Sequence, residues 1–365
     1  MAGTLLLLAA GWLYSWLGPQ KQYSENENRY LNQFPTVSWE TIKEGKLQNQ
    51  LDLASKDQIP FRDRWMELST VLTKCTGSSC INGVYLGKDG YYFNQVLDSD
   101  LSQKRYRMNL EIVKKMAEER TAPVSVLLVP SPETILTEKL PNDAAVYDAV
   151  LLNKEGKNCL GEHWLSVEKA LKHASADTQV YFRTDHHWTL AGAYEAYKVY
   201  EKQMGHKVKS YGWFEPELAS DTFYGTLYSK VLDPAAKPDE LYLPSNLPQG
   251  LCITADGEEK DGIYETSMLA KKDKYAVYFG GNYGKVVIEQ PNKKTQDTLI
   301  VFKDSFANSM VPFLTHAYQK IIMIDLRYYH QSVQKLLEQE EDAQVLVLYE
   351  LSNFARSETI NGMLK

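Results

Sequence analysis

Residues 183–189 read RTDHHWT, and they set an acid, two histidines and a tryptophan side by side in a chain that has only seven histidines. Asp185 precedes His187 by two positions. On an extended backbone alternate side chains share a face, so this spacing puts carboxylate and imidazole together. The carboxylate can then hold one ring nitrogen and leave the other free as a base. His186 is expected on the opposite face, as a packing or loop-fixing residue, and Trp188 as packing at the start of the next helix. The pair lacks a nucleophile. Ser305 is the candidate, because it follows the buried run TLIVF and the pair Lys303-Asp304 and precedes the helical pattern FANSMVPFLTHAY. A serine on a strand–turn–helix corner is placed as in a nucleophile elbow. Helix N-terminal amides there can hold an oxyanion, and a serine hydroxyl needs an adjacent base to attack. Taken alone, Ser305 and Asp304 also fit an ordinary helix N-cap.

Other groups compete for roles. Gly280, Gly281 and Asn282 combine close backbone approach with an amide donor, a possible oxyanion set, although a plain turn needs the same residues. Arg327 follows the run KIIMID and is a candidate for an acyl or anionic group, or for a salt bridge. Metal binding at Asp185, His186 and His187 is the alternative chemistry. Three consecutive residues do not easily converge on one ion, so Asp304, His330 or Glu350 would have to complete such a site. No metal or cofactor is expected.

The elements that must carry these residues follow from periodicity. From about residue 100, apolar runs alternate with amphipathic helical stretches: VSVLLVP, TQVYFR, TLIVF, KIIMID and AQVLVLYEL between patterns such as TLAGAYEAYKVYEKQM and SVQKLLEQEE. Uninterrupted Val/Ile/Leu runs between helices predict an α/β fold with a mostly parallel sheet covered on both faces. Ligands gather at the carboxyl ends of such strands. HWLSVEKALKHA reads as another helix. Residues 205–295 break the rhythm and read as a loop-rich insertion, with a hairpin around YFGGNYGKVVI. Residues 21–99 read as a linker and an extension of two helices, one over 38–54 and one over 62–74, then a hairpin at Asp89-Gly90.

Length and charge bound the function. The chain has 365 residues, 44% hydrophobic and 24% charged, with a net charge of −7. That size allows one large domain with an appendage, and the acidic balance argues against a nucleic-acid partner. The 24 tyrosines suit a protein that handles sugars, or simply a core and its rim. Residues 3–17, GTLLLLAAGWLYSWL, carry no charge and read as an export or anchoring segment, so 1–20 is set apart and membrane attachment is expected. A buried N-terminal helix is the alternative. Cys75 and Cys80 flank TGSS, a spacing that could close a small disulfide loop outside the cytoplasm.

TDHHWT with the downstream AGAYEAY resembles the motif that names the DHHW family of exported bacterial proteins. ENRYL, QIPFRDRW, GVYLGKDGYYF, FYGTLYSK, YFGGNYG, KDSFANSMVPFL and IDLRYY occur in the order such a resemblance requires. The family is similar to the SGNH-hydrolase-like proteins that O-acetylate alginate and other exopolysaccharides. The resemblance implies an SGNH-like domain over 100–365, with Asp185 as orienting acid, His187 as base and Ser305 as nucleophile. It further implies an extracytoplasmic location, a polysaccharide or cell-wall glycan substrate, and a membrane partner that supplies the acyl group. The order Asp, His, Ser is permuted relative to ordinary SGNH esterases. Lys303 stands where the usual Gly-Asp-Ser block has glycine, and His186 where the acetyltransferases carry a small residue. A non-catalytic glycan-binding protein on the same fold is the alternative from another functional class.

Overall fold

In the computed structural model, which describes residues 11, 14, 15, 17–26, 29–293, 295 and 297–364, the apolar runs line up in one eight-stranded sheet. Its strands are β1 (Val124–Val129), β2 (Trp164–Leu165), β3 (Cys252–Ala255), β4 (Glu258–Lys260), β5 (Lys285–Glu289), β6 (Thr298–Lys303), β7 (Lys320–Ile324) and β8 (Gln344–Glu350). The spatial order is β4-β3-β5-β7-β6-β8-β1-β2. Strands β7, β6, β8, β1 and β2 pair in parallel, and β4, β3, β5 and β7 pair antiparallel. The molecule is an α/β protein with a large, mostly parallel central sheet flanked by helices.

The helices that matter for the site are α1 (Arg62–Cys75), α2 (Gln103–Glu118), α3 (Leu190–Gln203), α4 (Thr226–Val231), α5 (Ala307–Leu314) and α6 (Leu351–Arg356). Strand β6 explains why both faces need cover. Leu299 and Val301 join one core with α3 and α5, whereas Ile300 and Phe302 join a second core with α2 and α6. Helix α2 meets its core with Tyr106, Leu110, Val113 and Ala117, a helical stripe, and α3 does so with Leu190, Ala193, Tyr197 and Tyr200. Each apolar face is therefore buried once, against the side of the sheet that matches it.

Several expectations change. TQVYFR is not a strand of the sheet. Residues 180–189 fold back on themselves: Phe182 N–H donates to His187 O at 3.1 Å, Thr189 N–H to Val180 O at 2.9 Å, and Tyr181 bridges Trp188. The 205–295 region is more than loops, since β3, β4 and β5 extend the sheet from it and no hairpin forms at YFGGNYG. HWLSVEKALKHA divides into β2 and a helix at Glu168–Ala174. The helix expected over 38–54 is two, Trp39–Lys43 and Leu47–Asp57, broken where Gly45 takes a φ of 67°. Residues 3–17 lie mostly outside the described residues, among which no helix is long and apolar enough to cross a membrane.

The N-terminal extension packs on the segments around Asp185. Thr70 bonds Val231 O, Lys74 pairs with Asp233 at 2.7 Å, and Tyr92 N–H donates to Arg183 O at 2.8 Å. The Asp89-Gly90 turn forms as expected, with both residues at positive φ between Val84–Leu86 and Tyr92–Asn94. The Cys75–Cys80 disulfide does not form, and both are free thiols. Cys75 ends α1 in solvent, whereas Cys80 opens a strand and packs against the core, where burial raises its pKa.

Candidate active site

Asp185 and His187 meet through a turn. His187 N–H donates to Asp185 Oδ1 at 2.9 Å, and the same oxygen accepts from His187 Nδ1 at 2.6 Å. The carboxylate thus holds backbone and ring of one residue together. Its other oxygen, Oδ2, accepts from Thr226 N–H at 2.7 Å and Thr226 Oγ1 at 3.0 Å. Both residues are buried. Burial by itself would raise the Asp185 pKa, but the two histidines and these hydrogen bonds outweigh it and hold the group well below the usual carboxylate range. Asp185 is therefore an acceptor only, which makes His187 Nδ1 the protonated nitrogen and Nε2 the basic one.

Nε2 faces Ser305 Oγ at 2.7 Å. A basic nitrogen and a hydroxyl at that distance require the serine to donate. Ser305 sits between the end of β6 and the start of α5. Asp304 locks this corner: its Oδ1 accepts from Phe306 N–H at 3.0 Å, and its Oδ2 from Glu350 N–H at 2.9 Å and Asn353 Nδ2 at 3.0 Å. The amides of Asp304, Phe306, Ala307 and Asn308 are all bonded. The Ser305 N–H makes no hydrogen bond among the described residues, so an amide is open beside the hydroxyl.

His186 is not on the opposite face. Its ring lies against the His187 ring, centroids 3.9 Å apart, and its Nδ1 is 2.8 Å from Thr226 Oγ1. The Thr226 proton goes to Asp185, so His186 Nδ1–H donates to Thr226. Burial and the neighbouring His187 push the His186 pKa down, which keeps it neutral at pH 7. Alternation failed for His186 because a turn does not alternate.

Trp188 is packing, as expected. It is fully buried, and its Nε1 donates to Phe306 O at 3.0 Å and Ser309 Oγ at 2.8 Å, tying the histidine loop to the serine corner. Trp188→Ala is expected to cost about 3–5 kcal/mol in urea unfolding, chiefly from the cavity it leaves.

Residues that periodicity did not single out complete the frame. Asp239, buried beneath the loop, accepts from Thr184 N–H at 2.9 Å, Thr184 Oγ1 at 2.7 Å and Arg183 N–H at 3.0 Å. Thr184 O in turn accepts from Leu227 and Tyr228 N–H, which seats α4 on the loop. Tyr275 stacks on His187 with centroids 3.9 Å apart and planes at 11°, and its hydroxyl donates toward Ser305 O at 3.2 Å. TDHHWT contains Thr184, and FYGTLYSK contains Gly225, Thr226, Leu227 and Tyr228; Asp239 and Tyr275 lie in neither motif.

Among the weaker candidates, Arg327 is committed to Asp325 by two bonds of 2.8 and 2.6 Å and is not a free anion site. Gly281 N–H donates to Tyr278 O at 3.2 Å, which removes it as an oxyanion donor. Asn282 is exposed, and its amide oxygen accepts from Lys303 Nζ at 3.1 Å and Asn308 Nδ2 at 3.2 Å. Asp185, His186 and His187 offer ligand atoms within 4.8 Å of one another. Both Asp185 oxygens are filled by protein donors, so a cation would have to break the Thr226 and His187 bonds; the donor set suits proton transfer. A cavity of ≈ 380 Å³ adjoins Asp185 between α4 and the extension, lined in part by Arg62, Tyr224, Thr226, Lys230 and Lys272.

The DHHW protein family model matches residues 147–324. Over these residues the chain is similar to the DHHW family. The DHHW segment holds Asp185, His187, Ser305 and the framing residues Thr226, Asp239 and Tyr275. The crystal structure of a DHHW family protein from Eubacterium siraeum DSM 15702 superposes with a TM-score of 0.62 at 22% identity, covering 78% of this chain and 96% of that one. Bacillus cereus PatB1, in a structure with a sulfonyl adduct, gives 0.62 at 21% identity, covering 77% and 99%. These likenesses show the fold. No curated protein matches the sequence.

Proposed function

We propose that the protein is a serine-dependent O-acyltransferase or esterase of the SGNH-like type, acting on a cell-surface or extracellular polysaccharide. The observation that carries the reading is the continuous chain Ser305 Oγ–H, His187 Nε2, His187 Nδ1–H, Asp185, in which every proton has one assigned place. Ser305 Oγ attacks the ester carbonyl as its proton passes to His187 Nε2, and Asp185 stabilises the imidazolium. The oxyanion forms beside the open Ser305 N–H, with Asn282 as second donor. Collapse expels the alcohol, which takes the proton from His187 and leaves acyl-Ser305. A sugar hydroxyl then gives its proton to His187 and attacks, restoring the serine; water does the same in hydrolysis.

The resemblance supports acetyl as the group moved and a glycan as acceptor. The cavity beside Asp185 has Tyr224 in its wall, a ring on which a sugar can stack. An extracytoplasmic location, attachment through residues 3–17 and a membrane partner that delivers the acyl group complete the proposal. A sulfonyl-fluoride probe tests it. The expected result is one adduct on Ser305 by peptide mass, lost in Ser305→Ala and His187→Ala. No adduct on folded wild-type protein, with glycan binding retained, would instead make it a binding protein. Acetyl release from p-nitrophenyl acetate, compared with transfer to oligosaccharides, separates esterase from transferase.

A further inference from the structure

We infer that Lys303 is a positioning residue that holds the Asn282 amide as the second oxyanion donor, an inference that rests on the acyl-transfer reading of Ser305. Lys303 is the last residue of β6 and faces the same side of the sheet as Val301 and α5. Its side chain is buried, and its Nζ lies 3.1 Å from Asn282 Oδ1, 2.9 Å from Asn308 Oδ1 and 3.8 Å from Asp325 Oδ2. An ammonium has only protons to offer, so both asparagine atoms that face it must be oxygens. Asn308 Nδ2 is thereby left to donate to Asn282 Oδ1 at 3.2 Å.

One lysine thus fixes both amide orientations. Asn282 has its oxygen held by two donors and its NH₂ end free of hydrogen bonds among the described residues. Lys303 lies two residues before Ser305 and Asn308 three after, so the pair anchors Asn282 from both sides of the serine. The ammonium also polarises the Asn282 amide, which strengthens its N–H groups as donors. Burial pushes Lys303 down to about 8, so the charge is kept at neutral pH. Asp325, bonded to Arg327, shares its carboxylate with the same ammonium. A glycine at 303 can do none of this, which gives the departure from Gly-Asp-Ser a chemical reason.

The experiment pairs kinetics with an observation that needs no turnover. Lys303→Met is expected to lower kcat for p-nitrophenyl acetate about 10²-fold with KM little changed, close to the loss of one oxyanion donor. Asn282→Ala is expected to do the same, and the double variant to be no worse than either. In ¹⁵N spectra of the full chain, the Asn282 side-chain amide resonances should shift on Lys303→Met. An active enzyme in which Lys303→Met keeps kcat, or in which the two losses multiply, overturns the inference. So do unchanged Asn282 resonances, whether or not the protein turns over, whereas an unlabelled Ser305 counts against the acyl-transfer reading. Should Lys303→Met not fold, Asn308→Ala removes the other donor to the same oxygen and is read in both ways.

Discussion

Asp185→Asn is expected to lower kcat for ester cleavage by about 10³–10⁴-fold in steady-state assays, because it changes which His187 nitrogen carries the proton. The wild-type carboxylate accepts from His187 N–H, His187 Nδ1–H, Thr226 N–H and Thr226 Oγ1–H. An asparagine has one oxygen for these four donors. If that oxygen stays with His187, the new NH₂ opposes the Thr226 amide, and the loop is pushed off α4. If it turns to Thr226, the NH₂ faces His187 Nδ1, which must become an acceptor. Nε2 is then protonated and cannot take the Ser305 proton. The second arrangement sets the NH₂ against the His187 N–H, a conflict inside the loop that leaves the α4 contact in place, so the fold survives while the base is lost. Unchanged kcat in a folded variant would remove Asp185 from the mechanism.

Gly225→Ala is the second large effect, expected at about 10²-fold in kcat with about 1–3 kcal/mol of stability lost. Gly225 has φ −89° and ψ −166°, which any residue can adopt. The constraint is contact: an added Cβ would stand 2.2 Å from Asp185 Cβ, 2.3 Å from Oδ2 and 2.6 Å from Cγ. Side chain or α4 must move, and either motion carries the carboxylate off His187. Gly212→Ala, where a Cβ meets nothing within 4 Å, is the matched control and should keep both activity and urea midpoint.

The two halves of the site were legible to different degrees. Ser305 could be read because a strand, a sharp turn and a helix are local patterns, and the corner lies within a dozen residues. The Asp185–His187 pair was read through strand alternation, yet the structure joins them by a turn in which His187 N–H bonds Asp185 Oδ1. The same argument misplaced His186, which packs on His187. For Arg327 the sequence leaves an anionic group and a salt bridge both open, and the structure pairs it with Asp325, two residues earlier. In 252–289 the sequence shows KVVI only as an arm of a hairpin and not the two strands before it, because short alternating segments become a sheet only when an edge is available, here the edge of β7.

By itself, the sequence determined the chemical parts and the scaffold type: a carboxylate, imidazoles and a serine at turns that precede helices, and apolar runs that must be buried on both faces. Those follow from neighbours along the chain. The tertiary structure decided which parts meet and in what protonation pattern. Thr226 reaches Asp185 from 41 residues away, and Ser305 reaches His187 from 118. Tyr275 and Lys303 take their roles only when separate segments close around the loop and the serine corner. A hydrogen bond depends on a few tenths of an ångström and on which partner has protons left to give. Local periodicity does not carry that information; the packed fold does.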